Sequence, residues 1–231
     1  RLSSRVQAKP REVRCYFLDK EWIIMVSSFR LTQTTAQIEK EITKALVKEI
    51  NYTFKSSIGK MISPIRRIVS SAIESSPVIS ELNSGTLRAD FGVPKGKDVT
   101  SAIVASVARA TSIEMRRFSS SGKKISGGIF VYIQPTNFAN LLSLSAGETI
   151  TEKGTRLPWL DWLLTLGDAV IIADFGVEYG SSGRSGQGHM TSKARPFKVK
   201  TSFSGTAGSN FITKALESHV GQIAKVIERS I

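Results

Sequence analysis

The sequence holds a single cysteine, Cys15, and two histidines, His189 and His219. One thiol excludes an intrachain disulfide and any multi-cysteine metal site. Its setting, "RCYFL", reads as a small buried apolar side chain. Two histidines without an H-E-x-x-H spacing do not make a zinc centre. No run approaches the length of a membrane span, about 18 apolar residues. The first residues lack the charged-then-apolar order of a secretory signal, and "WIIMV" is too short for its apolar stretch. Assembly in a cytoplasm is the expectation. Acidic residues are also scarce, 19 against 32 lysines and arginines, which leaves a net charge of +13. That balance implies a polyanion or an acidic protein surface nearby. Yet the basic residues are dispersed, and aromatics are not interleaved with them as in a base-stacking platform. Sequence-reading DNA binding is therefore disfavoured.

What remains reads as an ordinary globular core with helical ends. Residues 1–33 form a basic leader whose apolar run, "CYFLDKEWIIMV", suggests a strand, a hairpin or an arm that pairs with a neighbour. A single domain over 34–231 follows. "TTAQIEKEITKALVKEINYTFKSSI" places Ile38, Ile42, Ala45, Leu46, Ile50 and Phe54 at helical spacing, with Thr34 or Thr35 as N-cap. "KMISPIRRIVSSAIESS" predicts a second helix, with Pro64 near its start. Pro77 opens a short helix that Gly85 ends in a left-handed cap. "TLRADFGV" alternates Leu87, Ala89, Phe91 and Val93 as a strand does. Asp98 or Thr100 caps a further helix through "TSAIVASVARA".

"TSIEMRRF" and "GGIFVYIQ" predict antiparallel strands joined by a basic loop, "SSSGKKISG", longer than a tight hairpin. "TNFANLLSL" and "RLPWLDWLLTLGD" predict short helices, the second with an apolar face of Trp159, Leu160, Leu163 and Leu164. "AVIIADFGVEYG" and "RPFKVKTSF" read as strands. One long amphipathic helix, capped by Ser209 or Asn210, closes the chain. The fold class expected is α+β: a mainly antiparallel β-sheet packed with N-terminal and C-terminal amphipathic helices, with a long glycine-rich hairpin loop.

That loop, "GVEYGSSGRSGQG", invites a nucleotide reading, and the templates reject it. A phosphate-binding P-loop needs Gly-Lys-Ser/Thr, because the lysine reaches the terminal phosphates. A dinucleotide fingerprint needs G-x-G-x-x-G before a helix, and "GQGHMT" supplies only the first pair. A nucleophile elbow needs G-x-S-x-G, and "GRSGQ" places glycine too early. Asp161, Asp168, Asp174 and Glu178 read as solvated or salt-bridged carboxylates. No catalytic constellation, metal or cofactor is expected. The loop's Arg184 and Lys193, and Lys123 and Lys124 of the other hairpin, are candidate contacts to DNA or to neighbouring subunits.

Three stretches together resemble a known family: "SPVISELNSGTLRADFGV", "RLPWLDWLLTLGDAVIIADFGVEYGSSGRSGQGHM" and "FSGTAGSNFITKAL". The chain resembles the neck-region proteins of tailed bacteriophages, the tail-completion or head–tail joining proteins. The resemblance spans roughly residues 76 to 216, departs slightly at "VIIAD" and "VEYG", and leaves the leader outside. It implies a non-enzymatic virion component assembled in the host cytoplasm. It also implies a homo-oligomeric ring between other neck, adaptor and tail proteins, with genomic DNA passing through the lumen without sequence specificity. No membrane partner is implied. Two alternatives stand beside it. One is a nonspecific nucleic-acid-binding basic protein, recognisable by steep salt dependence. The other is an enzyme whose site would gather Asp161, Asp174, Glu178 and His189 in one pocket.

Overall fold

The computed structural model describes residues 33–230, apart from 123, 152, 193 and 194. The leader 1–33 therefore lies outside the described residues, except for Gln33. The fold is α+β. It begins with a 40-residue helix, α1 (Thr35–Glu74). Thr34 caps it: its hydroxyl accepts from the Gln37 N–H, and the Gln37 side chain bonds back to the Thr34 N–H. The two helices expected here are one. Pro64 sits inside α1 rather than at the start of a second helix. A proline removes one helical hydrogen bond and crowds the preceding turn. The helix continues because Met61, Ile65, Val69, Ala72 and Ile73 on either side are buried in the core.

Three helices follow, α2 (Pro77–Ser84), α3 (Thr86–Asp90) and α4 (Gly96–Ala110). The strand expected over "TLRADFGV" is instead α3 and the turn after it. Leu87, Ala89, Phe91 and Val93 are all buried as the alternation implied, but a helical turn delivers them. The cause is Glu81, whose carboxylate accepts from the Thr86 N–H (2.7 Å) and hydroxyl (3.1 Å) and so caps α3 from the preceding helix. Gly85 is extended (φ −96°), not left-handed; a Cβ there would collide with that carboxylate. At α4 the structure moves the expected cap as well. The helix starts at Gly96, so Asp98 lies in its first turn, where it favours the helix dipole, and Thr100 lies inside the helix. At the other end of α4, the Arg66 guanidinium of α1 donates to the Thr111 carbonyl at 3.1 Å.

Among the described residues the strands form four separate two-stranded antiparallel ribbons rather than one sheet. β1 (Ser112–Ser121) pairs with β2 (Lys124–Tyr132), and Ser121 pairs directly with Lys124. Most of the expected long loop therefore belongs to the strands. β3 (Thr149–Ile150) pairs with β4 (Arg156–Leu157). The expected long strand over "AVIIADFGVEYG" is divided. β5 (Val170–Ile172) pairs with β8 (Phe197–Lys198), while β6 (Gly176–Tyr179) pairs with β7 (Gly188–Thr191).

Between these ribbons lie α5 (Ala139–Leu142) and α6 (Trp159–Thr165). The expected face of α6 is buried at Trp159, Leu160, Leu163 and Leu164. Trp159 stacks on Phe91 with centroids 5.3 Å apart, and Phe197 meets Phe91 and Trp162 edge-on. This aromatic cluster joins α3, α6 and β8. The expected C-terminal helix is two, α7 (Phe211–Glu217) and α8 (Val220–Ser230), broken at Ser218 and His219. Asn210 caps α7 as expected, accepting from the Ile212 and Thr213 N–H groups. Phe211, Ile212 and Ile223 carry these helices onto the core with α1.

Candidate subunit-contact and DNA-facing surface

The glycine-rich loop is a compact knot held by its own chain. The Gly186 and Gly188 N–H groups donate to the Gly183 and Ser182 carbonyls, and the Gly180 N–H donates to the Gln187 carbonyl. Gly183 has φ +80°, and a Cβ there would strike the Gly188 carbonyl, so this position requires glycine. Gln187 reaches out of the loop to the Ser84 carbonyl at 3.2 Å. Arg184 is exposed, and its guanidinium donates to the Ile150 carbonyl at the end of β3. Of the four candidate contacts, Lys123 and Lys193 lie outside the described residues. Lys124 is exposed at the tip of the β1–β2 ribbon. The structure therefore does not bring Arg184 and Lys124 to one site.

A polar cluster that sequence reasoning did not pick out fastens the base of the loop. Asp90 is buried at the end of α3 and accepts from the Tyr179 hydroxyl at 2.7 Å. Lys200, just past β8, lies 3.9 Å from the Asp90 carboxylate and 5.4 Å from the Tyr179 ring centroid. It also donates to the Thr86 hydroxyl at 2.8 Å, which in turn donates to Glu81. Burial pushes the Asp90 carboxyl above its ordinary value; the Tyr179 hydrogen bond and Lys200 oppose that, and Glu81 adds to it. Burial, the Asp90 hydrogen bond and the nearby negative charge push the Tyr179 hydroxyl up as well. The signal present in the sequence was "ADF", an acid inside an apolar run, which must find donors if it is buried.

The carboxylates and histidines weighed for catalysis are dispersed. Asp174, Glu178 and His189 are exposed. Glu178 and His189 face each other across the β6–β7 ribbon. His189 contacts the Ser182 hydroxyl at 2.9 Å. Asp161 accepts from Thr165 in its own helix and lines a small cavity of about 140 Å³ with Glu148. His219 sits at the α7–α8 break against the Ala215 carbonyl. Among the described residues, no three histidine, cysteine or carboxylate side chains stand close enough to hold a metal ion. Among the same residues, no helix is long and apolar enough to cross a membrane. Comparison with family models, curated proteins and solved structures finds no match for this chain.

Two elements leave the core, and together they carry six of the thirteen exposed large apolar side chains among the described residues. The first buried residue of α1 is Ser57, so roughly 30 Å of helix precedes it at 1.5 Å per residue. Along this length Ile42 (55% exposed), Leu46 (50%) and Tyr52 (72%) face outward. The β1–β2 ribbon is the second element. It is bulged between Arg116 and Ser119, and the bulge is clamped to α1. The Asn51 side chain accepts from the Phe118 N–H (2.8 Å) and donates to the Phe118 carbonyl (2.9 Å), much as a neighbouring strand would. The Phe118 ring meets Phe54 at 5.0 Å. Opposite, Gly127 has φ +159° and lies so close to Phe118 that a Cβ would clash with it. Beyond the clamp, residues Ser119 to Ser126 are exposed wherever described. Arg116 lies over the Phe130 ring at 5.1 Å, and Ile125, Phe130 and Tyr132 are exposed.

Proposed function

We propose that this chain is a structural subunit of a tailed-phage neck or tail-completion ring that joins head to tail around the DNA channel. The role is architectural, and the ring is homo-oligomeric with other neck, adaptor and tail proteins above and below. The observation that carries the reading is the pair of projecting elements. A packed domain holds out half of a long helix and a clamped ribbon, both with large apolar side chains in solvent. Ile42 and Leu46, one turn apart on α1, form an exposed apolar pair of the kind that marks a protein contact surface. The three motif stretches over roughly residues 76 to 216 support it independently. In a ring each subunit presents different surfaces to its two neighbours, and the interface closes by rotation. The net charge of +13 suits a lumen that neutralises phosphate without reading bases. On this reading Lys124, at the ribbon tip, reaches the channel, and Arg184 stays committed to its own chain.

Electron microscopy of the purified full chain tests this directly. Closed rings with a central channel are expected, and virions labelled on this subunit carry the label at the head–tail junction. A chain that stays monomeric at high concentration, yet binds duplex DNA with a steep salt dependence, is the nonspecific nucleic-acid-binding protein instead.

A further inference from the structure

A cavity of about 320 Å³ opens between the end of α1 and α7. Its walls are the last turn of α1, the α1–α2 junction, the turn at Ser202–Ser204 and one face of α7. Ala72, Val78, Phe203 and Phe211 supply an apolar floor, and Lys214 is the charged side chain at its edge. Cavities of about this size hold small ligands.

The polar side of the cavity is built around a serine that does not perform its usual task. Ser76 occupies the N-cap of α2 but makes no side-chain capping bond. It is 7% exposed, lines the cavity, and its hydroxyl makes no hydrogen bond among the described residues. Pro77 has no N–H. The Val78 N–H, next along the cavity wall, likewise has no backbone acceptor among the described residues. The positive end of α2 is thus left open toward the cavity. At the opposing end of α1 three carbonyls are already taken. Ser75 and Ser76 N–H groups donate to the Ser71 and Ile73 carbonyls, and the Ser75 hydroxyl donates to that of Ala72. Among the described residues Lys214 makes no ion pair and no carboxylate side chain lines the space.

We propose that this cavity binds a monocarboxylate carried on an apolar body. The carboxylate takes the Ser76 hydroxyl, the Val78 N–H and the Lys214 ammonium. The body lies on Phe203, Phe211, Val78 and Ala72. One cation and one open N–H match a single negative charge on a planar group rather than a phosphate dianion, and the apolar floor requires more than a bare ion. Two sources share this chemistry, a free small acid and the C-terminal residue of a polypeptide.

Amide NMR titration of the full chain tests the site with N-acetyl-L-phenylalanine and its uncharged carboxamide. A pentapeptide ending in phenylalanine is added with a free and with an amidated terminus. Saturable shifts of the Ser76, Val78 and Lys214 amides are expected with the free acids. Lys214→Gln weakens binding about tenfold and Ser76→Ala about fivefold, with the fold intact in each spectrum. Equal affinity of the small acid and the free peptide assigns the site to a small acid; tighter binding of the peptide assigns it to a chain terminus. Absence of saturable shifts at these amides overturns the proposal. So does equal binding of the carboxamide or amidated peptide, or the same shifts with inorganic phosphate.

Discussion

Asp90 is where a single residue sets a measurable pH response. Its carboxyl is held above its ordinary value by burial, so the folded chain keeps that proton more tightly than the unfolded one does. Below the ordinary carboxylate range both states are protonated, and Asp90 costs nothing. As pH rises from there through the raised value, ionisation in the fold is disfavoured and stability declines. Above both values the penalty is constant. Tyr179 moderates it by donating to the carboxylate. Tyr179→Phe is therefore expected to destabilise the fold by about 1–2 kcal/mol near neutral pH and by less in acid. It also widens the window over which stability falls, because Asp90 titrates still higher without its donor. Urea denaturation of both proteins across that window gives the comparison, and parallel pH profiles would contradict this account.

At the scale of elements, the ribbon depends on one amide. Both hydrogen bonds to the bulged Phe118 come from Asn51, which also donates to the Val47 carbonyl within α1. Asn51→Ala leaves those ribbon groups facing a void on α1. The expected result is loss of hydrogen-exchange protection across 112–132, with a global cost of about 1–3 kcal/mol. Unchanged exchange in the ribbon would show that pairing with β2 alone holds it.

The same element shows why the sequence was readable in part. The strands of the ribbon and the buried faces of α6 and α7 were legible from period and composition. The bulge and its clamp were not, because Asn51 and Phe118 are 67 positions apart and nothing local joins them. The α3 strand reading failed for a related reason. Leu87, Ala89, Phe91 and Val93 alternate, but Glu81 caps a helical turn across them, and a cap from another helix leaves no local periodicity. Pro64 misled in the opposite direction. A local rule for helix ends lost to the burial of Met61 and Ile65 around it. At the candidate site, the basic side chains were visible as residues. Arg184's commitment to the Ile150 carbonyl depends on a long-range fold contact.

For the whole molecule, the testable quantity is self-association. Ile42 and Leu46 are four apart on α1, hence on one face, and both are at least half exposed. Replacing both by glutamate changes no buried contact, so the unfolding free energy of the isolated subunit is expected to change by no more than about 0.5 kcal/mol. If subunits meet along α1, the same double variant abolishes ring formation in analytical ultracentrifugation. Rings that persist would move the contact to another surface.

The clamp at Phe118 also bears on solubility. A two-stranded ribbon held in solvent ordinarily offers two edges on which further strands can add, and an object that grows on both sides makes fibres. Here Asn51 occupies the outward N–H and carbonyl of β1 at the bulge, so α1 closes that side at this level. At this level strand addition is left to the edge of β2, where two ribbons would satisfy one another. The clamp thereby biases an exposed arm toward pairing over growth on both sides.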